Sequence, residues 1–335
     1  MMVHMSRLLI VGGQQRRLRS LLRGARDWYE YQKGLIVEVD PATTTLRTHV
    51  EYVSPAEAIG GDEPIILFKS ATHADDRLYT CTPTEVIVYR LPTFTVETYI
   101  TLPCFNDLHH VRPTPHGTLL VANTGLDMVL ELTLHGEVIR EWSVLGEAPW
   151  ARFDRTIDYR KGISTKPHHS HPNYLFYLGD EPWATRFHQR DAISLRDATR
   201  RIAIDVERVH DGVVHGEWIY FTTVDGHVAI AGVHSLQVEE LIDLSRFHDE
   251  SLIAGWCRSL MVDRTTLWVG FSRLRPTRFR DNVAWVKNRF RQSMPTHVAC
   301  YDLVQRRRIA VVNVEQHGLN AIFSIHPITD QRPDA

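Results

Sequence analysis

The residues of this sequence that are best suited to chemistry are histidines, which fall in short polar segments next to apolar runs. There are 19 of them among 335 residues. Eight of them lie in the segments FNDLHHVRP (105–113), KPHHSHPN (166–173), RFHQRDA (186–192), ERVHDG (207–212) and EQHGLN (315–320). A neutral imidazole brings one nitrogen lone pair and little charge. Several imidazoles that converge on one point therefore suit Zn, Fe, Mn or Cu.

Short β-strands are the elements that would position these histidines. β-branched and aromatic residues alternate in short runs between Gly- or Asp-containing turns, which is typical of antiparallel strands. The segments 117–142 and 216–244 align from Gly117 and Gly216, and a histidine, His110 or His210, precedes each of them. A repeat of about 35 to 45 residues with four strands indicates a β-propeller blade.

Six such units account for nearly the whole chain. Five are continuous: Ile65–Thr101, Leu108–Trp142, Asn173–Asp205, Val209–Leu244 and Trp256–Val314. The sixth is split, because Leu319–Ile325 would pair with strands near the N-terminus, and this closure removes the last free edge of the ring. The sequence therefore predicts an all-β fold, a six-bladed β-propeller that forms a single domain over residues 1–335.

Three insertions interrupt the blade pattern, at 14–33, 143–170 and 273–296. Apolar residues at helical spacing predict a helix in the first and the third, and the second reads as a long ordered loop. The chain of a propeller runs from the inner strand of each blade outwards, so all three insertions belong to one face. The two helical insertions are rich in arginine, which suits a lid over an anionic substrate, a partner surface or contact with acidic lipid.

The inner strands start on this same face, beside the central channel, and four blades would each deliver a histidine there. The predicted metal ligands are His110, His171, His210 and His317. Side chains alternate along a strand, so at most one histidine of each adjacent pair should face the site.

Charged and polar residues near the same rim are the candidates for catalysis and substrate binding. The predicted catalytic residues are His188, Arg190, Asp191 and Arg258, and the predicted substrate-binding residues are His109, Arg112, Arg186 and Asn320. His188 or Asp191 would transfer a proton, and Arg190 would bind an anionic group. A structural Arg–Asp pair between blades is an equally good interpretation of the segment 186–192.

At the level of blade period, the chain resembles six-bladed propellers of the gluconolactonase and strictosidine-synthase type. The resemblance covers nearly the whole length and implies the fold. The acidic and asparagine ligands that hold calcium in the lactonases have no clear counterparts here, so calcium-dependent lactonase activity is not implied. A histidine-rich centre is more similar to propeller enzymes that hold a transition metal, such as polysaccharide and streptogramin lyases.

Composition limits the partners and the compartment. Lys and Arg total 38 against 40 Asp and Glu, a net charge of −2, which argues against a nucleic-acid partner. No apolar stretch approaches the roughly 18 residues that span a bilayer, and the N-terminal segment lacks the pattern of a signal peptide. Four widely spaced cysteines without a CxxC motif predict a cytoplasmic protein.

These features together predict a metal-dependent enzyme that acts on a small anionic substrate, such as an acidic sugar or a related metabolite. A divalent Fe, Mn or Zn ion at the channel mouth would support lyase or isomerase (epimerase) chemistry, with hydrolase chemistry next. A non-catalytic scaffold that binds an acidic protein or polymer is the first alternative. An oxygenase-type enzyme with non-haem iron is the second.

Overall fold

The chain folds as a six-bladed β-propeller, as its blade repeat predicts. The computed structural model describes residues 6–16, 31–60, 64–162, 165–248, 252–274 and 292–328. Six four-stranded antiparallel sheets form the blades, and each is numbered here by the order of its inner strand along the chain. Among the described residues, no helix is long and apolar enough to cross a membrane.

The strands of each blade follow one another from the inside outwards. Blade 6 takes its three outer strands from the start of the chain: β1 (Leu8–Gln15), β2 (Tyr31–Asp40) and β3 (Thr45–Tyr52). Blades 1 to 3 contain β4 (Thr72–Ala74), β5 (Arg77–Cys81), β6 (Val86–Arg90), β7 (Thr95–Ile100), β8 (Leu108–Pro113), β9 (Leu119–Asn123), β10 (Met128–Leu132), β11 (Val138–Ser143), β12 (Pro172–Leu178), β13 (Glu181–Arg186), β14 (Asp191–Ser194) and β15 (Arg201–Ala203).

The second half of the ring repeats this arrangement. Blades 4 and 5, and the inner strand of blade 6, contain β16 (Val213–His215), β17 (Trp218–Thr222), β18 (His227–Gly232), β19 (Val238–Asp243), β21 (Trp256–Asp263), β22 (Thr266–Ser272), β24 (His297–Asp302), β25 (Arg307–Asn313) and β26 (Ala321–Pro327). A short parallel pair, β20 (Leu252–Ile253) and β23 (Gln292–Ser293), lies outside the blades.

Blade 6 is built from both ends of the chain. β26 pairs with β1 in antiparallel register, with Leu9 opposite His326 and Gly13 opposite Ala321. Gly13 has no side chain, and a Cβ there would lie 2.5 Å from the Cβ of Leu67. This close approach brings the link to blade 1 against the split blade.

The hydrophobic core lies between neighbouring blades rather than inside one sheet. Phe176 and Trp183 of blade 3, for example, pack in one buried cluster with Ile219 and Phe221 of blade 4. The middle strands are covered on both faces, so they are apolar almost continuously instead of alternating. The packing of blade on blade fixes the rotation of each inner strand around the axis.

Four inner strands, β8, β12, β21 and β26, carry a β-bulge or register irregularity close to their start. In β8, Leu108 pairs with Asn123 and His110 with Ala122, which leaves His109 as the extra residue. Arg258 of β21 and Phe323 of β26 are extra residues in the same way. A bulge bends the strand and redirects a side chain, and bulges are frequent beside active sites.

The insertions are only partly described. The loop within 143–170 contains neither helix nor strand in its described part beyond Ser143, as predicted. The helical patterns within 14–33 and 273–296 fall mostly on residues 17–30 and 275–291, which lie outside the described residues. At the ends of the first insertion, β1 extends to Gln15 and β2 begins at Tyr31.

Candidate functional site

At one mouth of the channel, every blade contributes one polar or aromatic side chain that is buried or half-buried. Each comes from the inner strand of its blade or from the segment that leads into that strand. In blade order these are Lys69, His109, His171, His210, Arg258 and Phe323. The ε-ammonium of Lys69 lies 5.1 Å from the centroid of the Phe323 ring, and the guanidinium carbon of Arg258 lies 4.8 Å from it. The ring of His109 lies 4.6 Å from that of His171 and 6.2 Å from that of His210. These six side chains are called the mouth ring below.

Lys69, Asp107 and His109 form a compact group on one side of the mouth ring. The Lys69 Nζ lies 3.1 Å from Asp107 Oδ1 and 3.0 Å from His109 Nε2. Burial lowers the pKa of Lys69, and Asp107 opposes this. Burial would raise the pKa of Asp107, but Lys69 and His109 hold it well below its ordinary value.

His109 is held neutral with one ring nitrogen unused. Burial, with Lys69 as the next cause, lowers its pKa to about 3. Its Nε2 faces Lys69, whereas its buried Nδ1 has no hydrogen-bond partner among the described residues. A buried polar atom without a partner costs roughly 1–3 kcal/mol. A ligand at the mouth is one way to supply the missing partner.

His168 and His171 approach each other through their Nδ1 atoms, which are 2.7 Å apart. On the other side of the His168 ring, Nε2 lies 3.2 Å from Thr165 Oγ1, and this hydroxyl donates its own proton to Asn106 Oδ1. The hydroxyl therefore accepts from His168 Nε2–H, which leaves a lone pair on His168 Nδ1. Two nitrogens this close share one proton, and this proton would have to leave before His168 Nδ1 could bind a metal.

Asp107 completes a three-residue group that has the composition of a metal site. One ligand atom from each of Asp107, His168 and His171 lies within 4.8 Å of the others. Burial lowers the pKa of both histidines, so both are in the neutral form that binds metal. Two imidazoles and one carboxylate with open positions are a donor set used by catalytic Zn and by non-haem Fe(II).

The segment that carries these two histidines is anchored to blade 2 by a single carboxylate. Asp127 is buried, and its two oxygens accept the backbone N–H groups of His169, Ser170 and His171 at 2.7–2.9 Å. Arg152, from the long loop, donates to the same carboxylate at 2.7 Å. Four donors on one buried carboxylate fix the backbone from which both imidazoles project.

On the neighbouring blade 4, His210 is oriented by its sequence neighbour. Its Nδ1 lies 3.2 Å from Asp211 Oδ1, and Thr222 donates to the other oxygen of Asp211 at 2.6 Å. This arrangement places the proton on Nδ1 and the lone pair on Nε2. Burial lowers the pKa of His210 and raises that of Asp211.

Arg258 is a buried cation in an aromatic setting. It is 4% exposed, and its guanidinium lies 4.9 Å from the centroid of the Trp256 ring as well as over Phe323. Burial lowers its pKa to about 10, while Tyr31, Asp211 and Asp107 oppose the shift. Aromatic faces stabilise a cation without neutralising it, so Arg258 stays charged at the mouth.

His110 is not a metal ligand, which corrects its assignment from the sequence. Its Nδ1 accepts the N–H of Leu175 at 2.9 Å, and its Nε2 lies 3.0 Å from Thr72 Oγ1. Its ring stacks on Tyr174 at 3.9 Å. Both nitrogens are thus occupied by protein groups, and His110 links blades 1, 2 and 3. The prediction that only one member of the pair faces the mouth is confirmed, but that member is His109.

Three other predicted residues lie elsewhere. His317 is exposed in the turn Glu315–His317, away from the buried mouth ring. Asn320 accepts the N–H of Gln15 through its side chain and thereby ties blade 6 together. Arg112 lies near the far end of β8 and stacks over Tyr177 at 5.8 Å. The structure therefore does not support the metal-binding role predicted for His317. It also does not support the substrate-binding roles predicted for Asn320 and Arg112.

The segment 186–192 contains a structural Arg–Asp pair, although it lies within blade 3 and not between blades. Asp191 is fully buried and accepts two hydrogen bonds from Arg186, at 2.8 and 2.6 Å. A buried fork-shaped pair of this kind leaves neither partner available for substrate. Arg190 is an exposed turn residue with a left-handed φ of 57°. His188 is exposed at the rim, with its ring 6.1 Å from that of His171.

The sequence analysis missed several members of the site. Asp107, His168 and Asp211 lie inside the predicted segments but received no role in the site, and Lys69 and Phe323 were not singled out. Lys69 carried a usable signal, because it directly follows the apolar run Ile65–Phe68. Lysine is seldom buried unless it is paired, so a lysine in such a run indicates a partner in the fold.

Comparisons with known proteins show the fold alone. No protein-family model matches the chain, and no curated protein matches it. The chain is similar to the solved structure of a protein of unknown function from Bacteroides caccae, at 14% identity over 97% of this chain and 100% of that one, with a TM-score of 0.60. It is also similar to a chain in the structure of a nidogen/laminin complex, at 9% identity over 95% and 97% of the two chains, with a TM-score of 0.56.

Proposed function

We propose that this propeller is a metal-dependent enzyme that acts on a small anionic substrate at the mouth ring. The observation that carries the proposal is the convergence of Asp107, His168 and His171 within 4.8 Å, next to the buried Lys69 and His109. Three protein ligands leave coordination positions open, which is characteristic of catalytic rather than structural metal sites.

The charge balance of the mouth supports an anionic substrate. Lys69 and Arg258 are buried cations, and the carboxylates of Asp107 and Asp211 lie near them. A divalent ion held by two neutral imidazoles and one carboxylate would add net positive charge. Substrates that carry a carboxylate therefore gain most from entering.

The chain supplies groups for proton transfer on blade 4, next to the blade whose entry segment carries His168 and His171. His210 is neutral and presents its Nε2 lone pair, while Asp211 would stabilise the imidazolium that forms when this nitrogen takes a proton. A bound divalent ion would polarise a carbonyl or carboxylate of the substrate. Removal of a proton next to a carboxylate is the common step of lyase and isomerase (epimerase) reactions, and we place these first and hydrolysis second.

The donor set also favours a second candidate, a non-haem iron enzyme that uses oxygen. Two histidines and one carboxylate on one side of an Fe(II) ion leave positions for substrate and O2. The identity of the bound metal separates the two candidates, because iron as the sole active metal favours the oxygenase and full activity with Zn excludes it.

The test is elemental analysis of untagged protein purified without chelator. We expect about one equivalent of Fe, Mn or Zn per chain, and less than about a tenth in His168→Ala and His171→Ala. His317→Ala, which removes an exposed histidine of the turn Glu315–His317, is the matched control and should keep its metal. Wild-type protein that stays metal-free after incubation with each ion would overturn the proposal in favour of a scaffold for an acidic partner.

A further inference from the structure

One asparagine connects the frame of blade 2 to the candidate metal site. Asn106 directly precedes the candidate ligand Asp107, which has a left-handed φ of 46° and therefore needs support from its surroundings. The N–H of Asn106 donates to Asn123 Oδ1 at 3.0 Å, and its C=O accepts the N–H of Gly125 at 2.9 Å. Its side-chain Nδ2 donates to the C=O of Tyr159 at 2.9 Å. These bonds fix both the backbone of Asn106 and the orientation of its amide.

The position of Asn106 depends on a glycine. A Cβ at Gly125 would lie 2.0 Å from Asn106 Oδ1 and 2.6 Å from its carbonyl oxygen, far inside van der Waals contact. Only a residue without a side chain leaves room for the amide at this place. Because Nδ2 is committed to Tyr159, Oδ1 is the amide atom that serves the entry segment of blade 3.

Thr165 transmits the orientation of this amide to His168. Its hydroxyl has a single proton, which it donates to Asn106 Oδ1 at 3.1 Å. The same oxygen can then only accept from His168 Nε2, which is 3.2 Å away. His168 is therefore held as the Nε2–H tautomer, and its Nδ1 keeps the lone pair that a metal requires.

This tautomer also assigns the proton in the short contact between His168 and His171. Since His168 Nδ1 carries a lone pair, the proton between the two Nδ1 atoms, which are 2.7 Å apart, belongs to His171. That proton can move to Nε2 of the same ring without a change of charge. The two Nδ1 atoms then offer two lone pairs to one ion.

We propose that Asn106 and Thr165 are positioning residues that set the tautomer of His168, so that this histidine binds metal through Nδ1 and not through Nε2. The inference rests on the proposed function, because it assigns a ligand atom for the metal that this function requires. Asn106 thereby acts on two of the three candidate ligands, since it adjoins Asp107 in the chain and reaches His168 through Thr165. Hydrogen bonds to a metal-binding histidine typically change metal affinity by about 10- to 100-fold.

The test replaces Thr165 with Val, which has nearly the same shape and lacks the hydroxyl. Long-range ¹⁵N–¹H NMR spectra of full-length, metal-free protein labelled at histidine show which ring nitrogen of His168 carries the proton, and His168→Gln identifies its signals. We expect Nε2–H in the wild type and in Thr165→Ser, and substantial protonation of Nδ1 in Thr165→Val. In competition with a chelator, the affinity for Zn²⁺ should fall by about 10- to 100-fold in Thr165→Val and recover in Thr165→Ser.

Thr156→Val is the matched control. The hydroxyl of Thr156 also donates to a side chain, that of Asp154, but it lies in an exposed turn of the long loop within 143–170. This variant should change neither the tautomer of His168 nor the affinity.

Three results would overturn the inference. They are Nδ1–H on His168 in the wild type, an unchanged tautomer and affinity in Thr165→Val, and a fall in affinity without a change of tautomer, since Thr165 would then act on the fold alone. Wild-type protein that shows Nε2–H on His168 but binds no Zn²⁺ is a different failure. In that case the relay to His168 stands, and the proposed function fails together with its metal.

Discussion

The two ends of the channel both contain buried histidines, yet only one end has the composition of an active site. At the mouth, burial lowers the pKa of His109 to about 3. At the far end, burial lowers the pKa of His326 to about 3 as well, and this ring lies 6.2 Å from that of His73. The surroundings differ: His109 contacts a lysine, a carboxylate and another imidazole, whereas the pKa of His326 is lowered by burial and then by His73. A shifted pKa therefore marks burial, and converging charges mark the candidate site.

The connectivity of the blades explains this difference. At the far end, the inner strand turns directly into the second strand, through two residues in blades 1, 3, 4 and 5 and through five in blade 2. The mouth receives the longer entry segments, such as the one that carries His168 and His171. Only these segments have enough chain to place several polar side chains near the axis.

The largest expected effect is a difference in the free energy of unfolding between variants of two adjacent histidines of β8, His110 and His109. Replacing His110 with Ala removes two hydrogen bonds and an aromatic stack, and leaves Leu175 N–H and Thr72 buried without their partner. We expect a loss of about 3–5 kcal/mol in the free energy of unfolding. His109→Ala, which removes a buried ring with one ring nitrogen lacking a partner among the described residues, should cost less, about 1–2 kcal/mol. Urea unfolding of both variants measures the contrast, and equal losses would show that the two residues do not differ in role.

A second variant tests whether metal binding depends on the Asp127 carboxylate. Asp127→Asn removes the charge and one acceptor oxygen from the carboxylate that holds residues 169–171, so both imidazoles lose their fixed orientation. We expect metal affinity to fall by about 10- to 100-fold in competition with a chelator. Asp154→Asn, which alters an exposed turn of the long loop within 143–170, should leave the affinity unchanged. An unchanged affinity in Asp127→Asn would show that the anchor does not position the ligands.

The smallest expected effect concerns pH and the far end. A histidine in the unfolded chain has a pKa of about 6.5, so the unfolded state takes up a proton before the folded state protonates His326. The free energy of unfolding should therefore fall as the pH drops from about 6.5 towards 3, by up to about 1.4 kcal/mol per pH unit from this residue. His326→Gln should flatten that slope by one proton, as measured by urea unfolding across this range.

Exposed His317 is the control for the pH experiment. His317→Gln should retain the slope of the wild type, because this side chain is exposed in its turn. A slope that is the same in wild type and in His326→Gln would show that His326 is protonated equally in both states, and that the far end is open to water.

The blade pattern was predictable because it is local. Alternating residues and the turns between them specify each strand, and the repeat of the pattern specifies the number of blades. The split blade was also predictable, because the pairing of β26 with β1 follows from the need to close the ring. The site was predictable only as a region: His171 and His210 do lie at the mouth, whereas His110, His317 and Asn320 have other surroundings.

The sequence by itself determined which chemical groups are available and the order in which the blades present them. The tertiary structure alone decided which of those groups meet. The bulge at His109 turns this residue and not His110 towards the axis, and bulges at Arg258 and Phe323 do the same in blades 5 and 6. Asp127 holds a segment that is 42–44 residues away along the chain. A bulge depends on the register between paired strands, and the contact of Asp127 with residues 169–171 depends on the closed ring. Neither is therefore encoded in a local pattern of residues.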